Sequence, residues 1–190
     1  MALVKRVDQS HIVANGDVAA GDIHKTFYVF NGQKRTNLWE ACERLQKGVN
    51  ESAEKKQFIE KLAQFMSDAE DGSVQFRSLE EKLTAGGMKK KSNRASRLKE
   101  RFSKKLEAAS FNELIQEVYA LILVEIDTGF EHKVRPHIEA NEMSRSNRET
   151  FSIYESIESQ LHGTTDITKE DLEGMLYYLA GKCYIDWDRQ

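Results

Sequence analysis

The chain has 190 residues, of which 31% are charged and 39% hydrophobic, with one proline and a formal net charge of −3. This balance argues against a disordered chain and against a bulk affinity for nucleic acid, and it predicts a helix-rich globular protein. The longest apolar run, at residues 119–124, is far shorter than the roughly 20 residues that span a bilayer. The first residues contain no apolar signal region, so we expect a cytoplasmic protein without membrane contact.

The segment from Ser10 to Phe30 has the composition of β-strands. Asn15-Gly16 is a strong hairpin signal, because a type I′ turn needs positive φ at both central residues. We therefore predict a β-rich arm at residues 1–32 that pairs with another copy or a partner, followed by a helical domain at residues 33–190. The arm residues expected to make these contacts are Ile12, Val13, Asn15, Gly16, Val18, Gly21, Ile23 and Phe27.

After residue 32 the hydrophobic period changes to 3.6, which predicts successive amphipathic helices. Helix starts are predicted at a cap on Asn37 and at capping boxes that open at Ser78, Ser110 and Thr168. In the helix predicted to start at Ser110, the apolar stripe begins at Phe111. The second half of this helix is apolar almost all round, so the helix must be covered on several sides.

Gly129 and Pro136 predict a kink after that helix, and residues 183–187 alternate in polarity like a short strand. The predicted fold class is therefore mainly α. It consists of a bundle-like helical domain with an amino-terminal β-hairpin arm and a short carboxy-terminal strand.

Residues 88–105 differ in charge from the rest of the chain, since they contain nine Lys or Arg and one Glu. The local charge of +8 leaves −11 elsewhere. Such a segment can neutralise phosphates of DNA or RNA, form a solvated face, or meet an acidic surface on a partner or on the same chain. Aromatic residues for base stacking are absent apart from Phe102, which we expect to point inward. The candidate surface residues are Lys89, Lys90, Lys91, Arg94, Arg97 and Arg101.

Catalytic and metal-binding motifs have little support. The Gly-Asp pairs at 16–17 and 21–22 lack the Lys of a phosphate loop and are better explained as turns. His132 and His137 lie five residues apart, about 140° on a helix, unlike a zinc-binding pair. Cys42 and Cys183 lie in apolar patterns and are interpreted as buried, reduced thiols. We expect no enzymatic activity, no cofactor and no metal.

The end of the chain, "EGMLYYLAGKCYIDWD", closes on a helix, a Gly-x-Cys and an Ile-x-Trp segment. It resembles the ending of the accessory proteins of bacterial ABC-three-component conflict systems. The opening "GDVAAGDI" resembles a Gly/Asp-rich segment of the same proteins, though without its Arg. The residues of the carboxy-terminal motif are Gly174, Tyr177, Gly181, Cys183, Ile185 and Trp187.

The resemblance implies a partner of an ABC-type ATPase in an anti-phage or anti-plasmid defence operon. In that family the helical domain is often fused to an effector, which it couples to the ATPase. This chain has no room for a separate effector, so the resemblance implies a stand-alone, non-enzymatic component for assembly and coupling. It would act through homo-oligomerisation and contacts with other proteins. The alternative is a small nucleic-acid-binding regulator that uses residues 88–105.

Overall fold

The computed structural model describes residues 36–48, 60, 62–65, 77–161, 166–182 and 184–187. Over these residues the chain forms seven bounded α-helices, and residues 60 and 62–65 are also helical. The helices are α1 (Asn37–Lys47), α2 (Leu79–Ala85), α3 (Ser92–Ala108), α4 (Glu113–Gly129), α5 (Arg135–Glu139), α6 (Met143–Leu161) and α7 (Lys169–Gly181). The predicted mainly helical fold class is confirmed.

Three short helical turns that are not α-helical lie between α2 and α5. A 3₁₀ turn at Lys89–Lys91 precedes α3, and a second at Ala109–Phe111 joins α3 to α4. A π-helical turn at Phe130–Val134 joins α4 to α5, with Pro136 in the first turn of α5. A widened helical turn therefore lies between Gly129 and Pro136, where the sequence predicted a kink; the kink itself stays a prediction.

The two predicted β elements are not confirmed. The whole arm at residues 1–32 lies outside the described residues, so the arm and the division at residue 32 stay predictions. The described residues contain no strand, and residues 184–187 are irregular. Ile185 and Trp187 are buried as their alternation predicted. Trp187 packs against the rings of Phe130 and Tyr177, and no described strand lies beside it.

Two of the predicted helix starts are confirmed. At Ser78 and at Thr168 the side-chain oxygen accepts a hydrogen bond from the backbone N–H three residues on, and the acidic residue there accepts one in return. These capping boxes satisfy backbone donors that the first turn of a helix leaves unpaired. Gly48 ends α1 in the left-handed conformation, with a φ of 63°.

The other two helix starts were predicted at the wrong residue. Helix α1 is capped by Thr36, not Asn37, and α4 is capped by Asn112, not Ser110. The second error has a physical cause, because residues 109–111 form a 3₁₀ turn and Asn112 is the extended residue that opens α4. Phe111 therefore lies before the helix and is 99% exposed, contrary to its predicted place in the apolar stripe.

Helix α4 is the centre of the core. Its residues 118–123 are all buried, and it contacts α1, α6 and α7, which confirms that it is covered on several sides. One ion pair ties α1 to it, with 2.6 Å between Arg44 Nη2 and Glu117 Oε1. The Glu117 side chain is fully buried, so its carboxylate needs this partner to offset the cost of desolvation. Cys42 is buried nearby in α1, as predicted.

Helices α3 and α7 approach each other closely at Gly174. A Cβ atom at this position would lie 2.7 Å from the carbonyl oxygen of Leu98 and 3.3 Å from Cβ of Phe102. Phe102 is 1% exposed, which confirms that it points inward, and its ring meets those of Tyr119 and Tyr178 edge to face. The absent side chain at Gly174 thus sets the distance between two helices.

We expect Gly174→Ala to lower the free energy of unfolding by about 1–3 kcal/mol, because the new methyl group meets backbone that must move. Gly181→Ala is the matched control in the same helix. Its methyl group would meet the flexible end of Lys99, so we expect a change within about 0.5 kcal/mol. Urea denaturation of both variants measures the difference. Equal losses would contradict the close approach at Gly174.

Candidate functional site

The basic face of α3 lies against the acidic first turn of α7. Nη2 of Arg94 is 2.8 Å from Oε2 of Glu173 and 3.4 Å from Oε1 of Glu170. Nη1 of Arg101 is 2.9 Å from the other oxygen of Glu170, and its Nη2 is 3.2 Å from Oδ1 of Asp171. Acidic residues at a helix start are favourable in themselves, because they face the positive end of the helix dipole. Two of the predicted surface arginines are therefore paired within the chain.

Asp171 is the buried member of this cluster, with its side chain 2% exposed. Its Oδ2 lies 2.9 Å from Nζ of Lys105 and accepts hydrogen bonds from the hydroxyl and backbone N–H of Thr168. Burial by itself raises the pKa of Asp171, but the hydrogen bonds from Lys105 and Thr168 outweigh it and hold that pKa below its usual value. The carboxylate is thus kept charged at the junction of α3 and α7.

The other predicted surface cations have no such partner. Lys89, Lys90, Lys91 and Arg97 are all exposed and form no ion pair with a described residue. The three lysines form the turn that leads into α3, whose first turn contains no acidic residue and no side-chain cap. Since a helix start is already positive, this end of α3 combines two sources of positive potential. We call Lys89–Lys91 together with Arg97 the basic end of α3.

The carboxy-terminal motif packs against the same region. Trp187 is buried, with its ring edge to face with Phe130 and tilted against Tyr177. The Tyr177 hydroxyl donates to Glu173 at 3.0 Å, and burial, followed by the charge of Glu173, raises the pKa of Tyr177 well above its usual value. Tyr177 and Trp187 also line a groove of about 360 Å³ whose rim includes Lys91.

The motif residues act mainly in packing. Gly174 and Gly181 lie in α7, Ile185 is buried after it, and Cys183 lies outside the described residues. Sequence reasoning missed Glu170, Asp171 and Glu173 as partners of the basic segment. The acidic first turn after Thr168 was a usable signal, but it did not show which basic residues it would meet.

The described residues contain no group of three or more His, Cys, Asp or Glu placed to hold a metal ion. His137 pairs with Glu142, at 2.9 Å from Nδ1 to Oε2, while His132 is exposed. Within the same residues, no helix has the length and apolar character needed to cross a membrane.

The low pKa of Asp171 predicts a pH dependence of stability. Its contribution is present above the unfolded pKa of about 3.9 and disappears as the pH falls through the lower folded pKa. We expect Asp171→Asn to lower the free energy of unfolding by roughly 1.5–3 kcal/mol at neutral pH. The gap to the wild type should close progressively as the pH falls below about 5. Urea denaturation across this pH range measures it.

Asp127→Asn is the control, because the pKa of Asp127 is shifted in the opposite direction to that of Asp171. Burial, followed by the charge of Glu131, raises the pKa of Asp127, so its ionised form costs stability at neutral pH. We expect this variant to be no less stable than the wild type at neutral pH. A loss of stability in both variants would contradict the roles assigned to the two carboxylates.

Comparisons with known proteins give one match. No curated protein and no solved structure matches the chain. The family model for C-terminal domain 9 of the ABC-three component (ABC-3C) systems matches residues 78–187, more than half of the chain. This range contains α2 to α7, the basic end of α3 and the carboxy-terminal motif, so the resemblance seen in the sequence is confirmed and the chain belongs to the C-terminal domain 9 family of the ABC-three component systems.

Proposed function

We propose that the chain is a non-enzymatic assembly and coupling component of a bacterial defence system centred on an ABC-type ATPase. Membership of a multi-component system supports this, because such a component works through other proteins. In this proposal the protein is cytoplasmic, has no cofactor of its own, and transmits the state of one component to another. The following observations support protein contact as its mode of action.

The single observation that carries the proposal is the unpaired charge at the basic end of α3. Lys89, Lys90 and Lys91 sit at the positive end of a helix, where each cation opposes the dipole and lowers stability. Two other cations of the same segment, Arg94 and Arg101, are paired with acidic residues of α7. Cations at a helix start that no described acidic residue of the same chain offsets are a local cost in stability. Such uncompensated costs are typical of functional surfaces. An acidic surface of a partner supplies the missing compensation.

The groove beside this end supports the same interpretation. The exposed Lys91 lines it together with the mostly buried aromatic residues Tyr177 and Trp187 of the carboxy-terminal motif. Glu170 and Glu173, which pair with arginines of α3, line it as well. Aromatic side chains beside cations are enriched in the parts of interfaces that determine affinity. The acidic partner surface would therefore include an apolar side chain that enters the groove.

The predicted arm adds a second kind of contact. Strands with free edges pair with the edges of other strands, and the residues expected to do so here include Ile12, Val13 and Ile23. In the proposal the arm joins copies of the chain, or a copy and a partner, while α3 presents its charge to the ATPase.

We expect Lys89→Glu combined with Lys90→Glu to weaken binding to the ABC-type ATPase of the same system at least about tenfold. The matched control is Lys133→Glu with Arg148→Glu, which makes the same charge change at exposed positions outside the basic end. Co-expression followed by affinity capture and titration measures both. The proposal fails if no ATPase is captured, or if the two double variants lose binding equally.

The alternative of nucleic-acid binding rests on the same four free cations. Because Arg94 and Arg101 are paired with α7, the surface left for phosphates is smaller than the sequence predicted. Four phosphate contacts would give a salt slope of about −3.6 in a log-log plot of affinity. We expect instead no retardation of a DNA duplex at about 150 mM salt. A gel-shift titration across salt tests this, and binding with that slope that is lost in Lys89→Glu would favour the alternative.

A further inference from the structure

The corner between α3 and α4 exposes an aromatic side chain that the fold does not use. Phe111 is 99% exposed, so it contributes almost nothing to the core. Its backbone is nevertheless held firmly. The side-chain amide of Gln116 donates to the carbonyl oxygens of Ala109 and Ser110, at 3.1 and 2.6 Å, and Asn112 caps the next helix. Phe111 is therefore a projecting apolar anchor on a braced turn, and ordering this turn on binding costs little.

A groove with a largely apolar lining of described residues lies beside this anchor. It has a volume of about 550 Å³, and its apolar lining consists of Leu45, Ala108, Ala109, Ile115, Val118 and Ile167. Ala109 and Asn112, which flank Phe111 in the sequence, both line it. Phe111 cannot fill its own groove, because the braced turn directs it into solvent. An anchor and a receptor of the same chemistry thus lie next to each other on one surface.

We propose that Phe111 and this groove form a two-fold contact between two copies of the chain. In such a contact each copy supplies one anchor and one groove, so both exposed features are buried by one symmetric arrangement. A different partner would have to provide a pocket and a projecting side chain together, whereas a second copy has both.

The charges at the rim permit this pairing. Lys105 and Asp166 line the groove and have opposite signs. Lys105 is paired with Asp171 of its own chain, but its side chain stays 36% exposed, so it can also face Asp166 of a second copy. The basic end of α3 lies at the other end of the helix and would repel its own copy. The surface around Phe111 therefore suits self-association, and this contact is additional to the arm pairing in the proposed function.

The test is the mass of the full chain as a function of concentration, measured by analytical ultracentrifugation. We expect a monomer–dimer equilibrium whose dissociation constant rises roughly 30-fold or more in Phe111→Ser, because the contact loses both anchors. At concentrations where the chain is monomeric, the melting temperature should not change, since Phe111 is exposed in the single chain. The matched control is Phe151→Ser, which alters the other phenylalanine that is exposed among the described residues, 47% exposed on α6, and should leave the dissociation constant unchanged.

A mixing experiment separates this contact from a fault in folding. Ile115→Glu blocks the groove and leaves Phe111 intact, while Phe111→Ser leaves the groove intact. Neither variant can form an insertion with itself, but a mixed dimer retains one of the two. We therefore expect the mixture to associate more tightly than either variant alone. If the mixture associates no more tightly than either variant alone, the inference is overturned.

Two further outcomes would also overturn it. One is a wild-type chain that stays monomeric at every concentration. The other is a dimer that is weakened by Val13→Asp in the arm and not by Phe111→Ser, which would support the arm of the proposed function and refute the contact at Phe111. The converse pattern would support the Phe111 contact and refute arm pairing, so the two proposals fail separately.

Discussion

The packing of α3 against α7 depends on the close contact at Gly174. Because this residue has no side chain, the backbone of α7 lies almost against the Leu98 carbonyl group. Asp171 is one helical turn earlier on the same face of α7, so the close contact brings its carboxylate to Arg101 and Lys105. Steric fit therefore sets the distance between the helices, and the ion pairs set their register. Neither alone would determine both.

This arrangement changes the role of the basic segment. Residues 88–105 have a charge of +8 in a chain with −11 elsewhere, and part of that imbalance is resolved where α3 meets the acidic start of α7. The charge that remains is concentrated at the basic end of α3, where helix geometry adds to it. A uniform basic stripe would suit a nucleic-acid backbone, whereas a local cationic end suits a defined acidic surface.

The features of the fold that depend on residues close together in the sequence were predicted correctly in most cases. Period, capping boxes and glycine stops located the helices, because these effects act within one or two turns. Prediction from the sequence failed where two local solutions compete, as when Asn112 caps α4 in place of Ser110. It also failed where one pattern has two possible causes. Ile185 and Trp187 alternate with polar neighbours as in a strand and are buried, but the described residues around them are irregular and Trp187 packs on Tyr177 of α7. The pairing of Arg94 with Glu173 spans 79 positions, and no local pattern determines it.

The two proposed surfaces on the helical domain lie at opposite ends of one rigid element. Helix α3 has 17 residues and is therefore about 26 Å long, with the basic end at its start and the Phe111 corner after it. Two copies joined at Phe111 would leave both basic ends free. Each could then meet an acidic partner without disturbing the self-contact. Lys105 is the residue that the carboxylate cluster and the Phe111 surface share, because it contacts Asp171 and also lines the groove beside Phe111.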